Sequence, residues 1–155
     1  MSSLFAKLEK DVEIKAPADK FHHMFRNIPH HISNAAGERI QGCDLHEGDF
    51  GTVGSVVIWN YNHDGKPEVA KEVIEAIDDE KNSMTFKLIE GDLLEKYKSF
   101  KVSYEATPKN DGEGCVVHWT LEYEKLHDEI VDLHTLVQFV VDLSKDIEAH
   151  LLQKA

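Results

Sequence analysis

The stretch that most constrains this chain is its last, Asp132 to Leu152. Set at about 3.6 residues per turn, Leu133, Leu136, Val140, Leu143, Ile147 and Leu151 form one apolar stripe, flanked by Val137 and Phe139. His134, Gln138, Lys145 and Ala149 fall opposite. Val131 lies off the stripe, so Asp132 is read as the N-cap and Leu133 as the first helical residue. About 20 residues give a rod of roughly 30 Å. His150 and Lys154 suit the negative pole of its dipole. Such a helix persists only when its apolar face is covered, and what the rest of the chain offers is mainly strands.

Leu4 to Ile14 alternates apolar and polar residues, which predicts a strand. Pro17 suits the first turn of a short helix carrying Phe21, Met24 and Phe25 on one side. Asn27 is placed to cap a second short helix from Ile28, the two forming a V. Six strands follow, over Arg39–His46, Val56–Tyr61, Val69–Ile77, Met84–Ile89, Tyr97–Thr107 and Val116–Glu124. Asp64-Gly65 is a hairpin signal, Asp78 to Asn82 and Glu90-Gly91-Asp92 are turns, and Pro108 to Gly114 is a polar loop. Short connections imply an antiparallel meander. The expectation is an α+β domain, a curved seven-stranded antiparallel sheet wrapped around the long C-terminal helix.

The chain has 155 residues, which favours a single domain over 1–155. The net charge of −12, from 17 basic and 29 acidic residues, repels nucleic acid and anionic membranes. No apolar run reaches the ~18 residues of a membrane span. MSSLFAKLEKDVEI lacks the apolar core of a secretory signal, so a cytoplasmic location is expected. Cys43 and Cys115 fit free thiols in a reducing compartment. The loop from Gly48 to Gly54 has glycines but joins two strands. It lacks the helix N-terminus and lysine of a phosphate cradle, and Glu47 and Asp49 would repel phosphate. The pairs His22-His23 and His30-His31 sit on short helices, where neighbours point about 100° apart. Neither is expected to hold a metal. His118 is expected to point outward from its strand. No cofactor is implied.

Several segments resemble the major latex protein branch of the Bet v 1-like family. They are Lys20-Phe21-His22-His23-Met24-Phe25, Ile40 through Asp49, Gly51-Thr52-Val53-Gly54-Ser55, Ile58-Trp59-Asn60-Tyr61 and Asp64-Gly65-Lys66. Ile89-Glu90-Gly91-Asp92-Leu93, Tyr97-Lys98-Ser99-Phe100 and His118 through Lys125 continue the likeness in order along nearly the whole chain. The resemblance implies a plant protein with the START-like helix-grip fold and a large cavity for apolar and amphipathic small molecules. In the expected sheet, the strands of Cys43 and Cys115 both flank the first strand. Two strand spacings, about 9.5 Å, exceed the roughly 7 Å reach of a disulfide.

The candidate cavity residues follow from strand alternation. They are Val57, Trp59 and Tyr61; Val69, Lys71 and Val73; Met84, Phe86 and Leu88; Phe100, Val102 and Tyr104; and Val117, Trp119 and Leu121. The long helix adds Leu136, Phe139, Val140 and Leu143, and the short helices add Phe21 and Phe25. The same residues could instead form a filled core. In the cavity reading, Trp59, Tyr61, Tyr104 and Trp119 supply contact area and polar tips for a ligand.

No catalytic residue is assigned. Ribonuclease residues credited to pathogenesis-related relatives match here only at Glu148; Val57 and His150 replace the lysine and tyrosine. Relatives that condense or isomerise alkaloid intermediates suggest Lys71, Lys98, Glu72 and Tyr104. The gate sequence of hormone-receptor relatives is absent from Asn62 to Pro67. The expected function is binding, storage or transport of small hydrophobic molecules in plant defence or stress, by a monomer or a dimer. The alternative is an isomerising or condensing enzyme acting in the same cavity.

Overall fold

The computed structural model describes residues 4–110, 113–130 and 134–153. The chain forms β1 (Phe5–Ile14), α1 (Ala18–Arg26), a 3₁₀ turn (Pro29–His31) running into α2 (Ile32–Ala35), and β2 (Ile40–Glu47). Then come β3 (Val56–His63), β4 (Lys66–Asp78), β5 (Ser83–Gly91), a 3₁₀ turn (Asp92–Glu95), β6 (Tyr97–Pro108), β7 (Cys115–Lys125) and α3 (His134–Gln153). The expected cap Asp132, first helical residue Leu133, off-stripe Val131 and terminal Lys154 lie outside the described residues, as do 111–112 of the polar loop.

The strands make one antiparallel sheet in the order β1-β7-β6-β5-β4-β3-β2. Register shifts in the β2–β3 and β4–β5 ladders mark bulges, which bend and twist a sheet. α3 lies in the resulting concavity, packed on β1, β3 and β7 and on both short helices. Leu136, Val140, Leu143 and Ile147 are all buried, each gaining roughly 1.5–3 kcal/mol from leaving water. The residues placed opposite the stripe, His134, Gln138, Lys145 and Ala149, are exposed.

Two expectations are corrected. Asn27 does not start a second helix; it ends α1, its amide bonding the His23 carbonyl at 2.9 Å. Ile28 precedes a proline, and that neighbour disfavours helical backbone. It adopts φ −132° and ψ 49°, and the next helical turn begins only at Pro29. The strands of Cys43 and Cys115 also do not both flank β1: β7 does, while β2 lies at the opposite edge of the sheet. Both cysteines are nonetheless free and buried.

The β3–β4 hairpin positions the site. Asp64 and Gly65 both take positive φ, 53° and 79°, the conformation of a tight two-residue turn. The turn pairs His63 with Lys66 and carries that register inward: Tyr61 opposite Glu68, Trp59 opposite Ala70, Val57 opposite Glu72. Cross-strand partners share a face. With Trp59 facing α3, Ala70 and Glu72 must face it too.

Candidate ligand cavity

An apolar cavity lies between the concave face of the sheet and α3, with about 100 Å³ open to the centre of a water-sized sphere. β3 contributes Trp59 and Tyr61, β5 Phe86 and Leu88, β6 Phe100 and Val102, and β7 Trp119 and Leu121. α3 contributes Leu136, Phe139, Val140 and Leu143, and α1 contributes Phe25. Of the other positions expected here, Phe21, Val57, Met84, Tyr104 and Val117 are buried but are not among the side chains that line this space. The space is well below the ~300–1,000 Å³ of usual small-molecule sites, and the aromatic side chains explain why. Phe25 alone meets the rings of Tyr104 at 5.0 Å, Trp119 at 5.8 Å, Trp59 at 6.3 Å and Phe86 at 6.5 Å. Phe139 is half-buried and touches Tyr61 edge-on at 5.8 Å.

Strand β4 is the correction. Val69, Lys71 and Val73 were expected to face inward, but Val69 is 42% exposed, and Lys71 pairs with the exposed Glu90 at 3.6 Å. Val73 lies opposite Val56, on the same outward parity. Ala70, Glu72 and Ile74 are the buried set. Apolar residues occur at both parities of this strand, so alternation alone is ambiguous. The two-residue turn resolves it, because its register places Glu72 beside Val57 and Ala70 beside Trp59. The cavity lining that sequence reasoning missed is Ala70 and Glu72 here, Ile40 on β2 and Leu93 in the 3₁₀ turn.

The polar tips expected to greet a ligand are engaged elsewhere. Trp119 Nε1 donates to Ser144 Oγ at 2.8 Å, and Ser144 Oγ donates to the Val140 carbonyl at 2.8 Å. Tyr61 donates its hydroxyl to Glu68 at 2.9 Å. The Tyr104 hydroxyl lies 2.7 Å from His22 Nδ1, whose Nε2 meets Asp79 at 2.8 Å. Arg26, donating from Nε at 2.7 Å, and His22 hold the Asp79 carboxyl below its usual range. Glu72 remains, and it is the one charged-type side chain among the described residues that line the cavity. Burial pushes its carboxyl up to about 8, opposed in part by the Trp59 side chain bonding to it.

The chain matches the model of the Pathogenesis-related protein Bet v 1 family over residues 3–154. It belongs to that family. Its relatives place it in the major latex protein branch. It is 61% identical to MLP-like protein 28 of Arabidopsis thaliana over 151 residues, 97% of this chain and 45% of that protein. The chain thus spans about half the length of that relative, whereas it covers 90% of MLP-like protein 31, at 58% identity. Among solved structures, ginseng major latex-like protein 151 from Panax ginseng superposes with a TM-score of 0.91 at 47% identity, covering 96% of this chain and 99% of that one.

Other residues weighed for chemistry have structural roles. Lys98 is exposed. Glu148 accepts the Lys15 backbone amide at 2.6 Å and lies 3.7 Å from Lys145. His118 points outward between Asp11 and Glu9, which raise its affinity for a proton. His30 stacks on Phe50 at 4.5 Å, and His23 bonds Asn27 at 2.7 Å. The described residues hold no cluster of three potential metal ligands, and no helix among them is long and apolar enough to cross a membrane. The glycine loop joins β2 to β3 with three left-handed glycines, Gly48, Gly51 and Gly54. Its Gly54 amide bonds the Ile74 carbonyl at 2.8 Å and its Asp49 amide the Ser55 hydroxyl at 2.9 Å. These bonds tie the loop to itself and to β4.

Proposed function

We propose that this protein binds small, predominantly apolar molecules in the cavity under α3, as a cytoplasmic carrier or store in defence or stress. The observation that carries this reading is space walled almost wholly by apolar side chains, between a curved sheet and a helix whose buried stripe would otherwise close on it. The empty space suits a single ring, and a larger guest needs the half-buried Phe139 to move. The net charge of −12 argues against nucleic acid as a partner.

The test is titration with an anilinonaphthalene dye and with single-ring hydrocarbons. Binding is expected with a micromolar dissociation constant, about −8 kcal/mol, and with energy transfer from Trp59 and Trp119. Ala70→Phe, which fills the space, should abolish it. A parent protein that binds no probe, or an Ala70→Phe variant that binds as well as the parent, would refute the reading. A second reading, an enzyme acting on such a guest, is favoured by one observation: a buried acid that ionises at about 8 suits general-acid chemistry at neutral pH. Turnover of a bound metabolite mixture by the parent and not by Glu72→Gln would support it.

A further inference from the structure

Glu72 is anomalous for a binding wall. A buried carboxyl is tolerated only with polar compensation, yet the groups packed around it supply little. From β2 comes the Cys43 thiol, and from β3 the Tyr61 phenol, each of which feels the Glu72 charge as a repulsion on its own anion. Tyr61 already donates to Glu68. β5 and α3 present Leu88, Phe86, Phe139 and Val140, all apolar. Among the described residues no cation offsets the acid; Lys71, its neighbour in sequence, pairs with Glu90 on the other face of the sheet. What does face Glu72 is the Trp59 side chain, whose indole N–H can only donate.

We propose that Glu72 is the polar anchor of the cavity, and that the guest it selects is an uncharged, largely apolar molecule bearing one hydrogen-bond-accepting oxygen, a ketone or ester carbonyl. The inference rests on the cavity reading above. A carboxylic acid offers one acceptor carbonyl and one O–H donor. The Trp59 N–H fits the carbonyl oxygen, which leaves the O–H to be donated into the cavity. Burial holds the acid in this donor form below about pH 8. An ionic guest would have to leave water for a space lined by apolar side chains, with one weakly ionised partner to receive it. A hydrocarbon guest would leave the donor unmatched. A single acceptor on an apolar body matches both the wall and the anchor.

Acetophenone and α-methylstyrene test this, since they have nearly the same shape and differ by a carbonyl oxygen against a methylene. Their affinities are measured by calorimetry and tryptophan quenching on the parent, Glu72→Leu and Glu72→Gln, at pH 6.5 and 9.5, with benzylamine as the cationic probe. At pH 6.5 the ratio favouring the ketone should fall about tenfold from parent to Glu72→Leu, equivalent to about 1.4 kcal/mol. In the parent it should fall similarly on going to pH 9.5, where the acid ionises and repels the carbonyl. Glu72→Gln, which keeps a donor that does not titrate, should hold most of the ratio at both pH values. An equal ratio in parent and Glu72→Leu overturns the inference while leaving the cavity reading intact. So does tighter binding of benzylamine than of the ketone at pH 6.5, lost in both variants, because Glu72 would then act as an anion. Failure of both acetophenone and α-methylstyrene to bind the parent overturns the cavity reading and this inference with it.

Discussion

Glu72→Gln should stabilise this protein, and by an amount that depends on pH in one direction. The Glu72 carboxyl ionises at about 8 when folded and near ~4.3 when the chain is unfolded. The folded state therefore holds a proton that the unfolded state has released at every pH between the two values. Relative to acid conditions, stability is lost as pH rises from about 4 to about 8, and the loss then levels off. At ~1.4 kcal/mol per pH unit the ceiling is about 5 kcal/mol. Water entry and local relaxation reduce such penalties, so about 2–4 kcal/mol is expected at pH 9. Gln fills nearly the same volume, can still accept from Trp59 and does not titrate. The assay is urea unfolding of both proteins from pH 4 to 9, comparing midpoints at a common slope. Every other titrating group, including Asp79 with its acid-side loss, is common to both proteins and cancels. The two should agree within about 1 kcal/mol near pH 4 and diverge steadily to pH 8. A difference that is flat across this range, or that favours the parent at pH 9, would show that Glu72 is solvated or paired with a cation.

Phe139→Ala should cost less than the ~3–5 kcal/mol of a packed Phe, because Phe139 is half-buried and already faces open space; Leu143→Ala, fully buried near the stripe centre, should cost ~2–5 kcal/mol, both read by urea unfolding. Cys43 and Cys115 are buried, with Cys115 pushed up to about 11 and Cys43 higher still, so the native protein should react slowly with a disulfide reagent at pH 8 and release two equivalents once denatured. Gly51 takes φ 80° and a Cβ there would lie 2.8 Å from the Arg26 carbonyl, whereas Gly54 takes φ 93° with open space around it; Gly51→Val should therefore lower the melting temperature more than Gly54→Val, and millimolar nucleotide should leave the parent unchanged.

The long helix was readable because burial imposes a period that the sequence repeats five times over; Leu136, Val140, Leu143 and Ile147 all sit where the stripe places them. Ser144 was not readable. It is fully buried on that same face, and only the tertiary bond from Trp119 Nε1 explains it. β4 was misread because Val69 and Val73 compete with Ala70 and Ile74 for the inward parity, and a glutamate at position 72 argues for the wrong side. The information needed lay elsewhere in the chain, in the Asp64-Gly65 turn. Counting outward from a two-residue turn puts Glu72 opposite Val57 whatever its polarity. The extent of the cavity was hidden for another reason. It depends on how Phe25, Trp59, Phe86 and Trp119 pack in the space between sheet and helix, which no local pattern records.

The position of Glu72 also separates holding a guest from transforming one. Of the four residues that could have assembled an active site, Lys71 faces the outer surface beside Glu90, Lys98 is exposed, and the Tyr104 hydroxyl is bound to His22. Of the four, Glu72 alone lines the cavity. A lone acid that ionises near 8 can donate to a carbonyl and polarise it. Carrying a condensation or an isomerisation forward also needs a group to take a proton or to attack carbon, within about 3 Å of the reacting atom. Among the described residues lining this cavity the remaining polar side chains are Trp59, Trp119 and Tyr61, and burial with the neighbouring Glu68 raises the Tyr61 phenol further from ionisation. Under the proposed anchor role, the hydrogen bond that would begin catalysis in a site with a second group would orient and retain a guest.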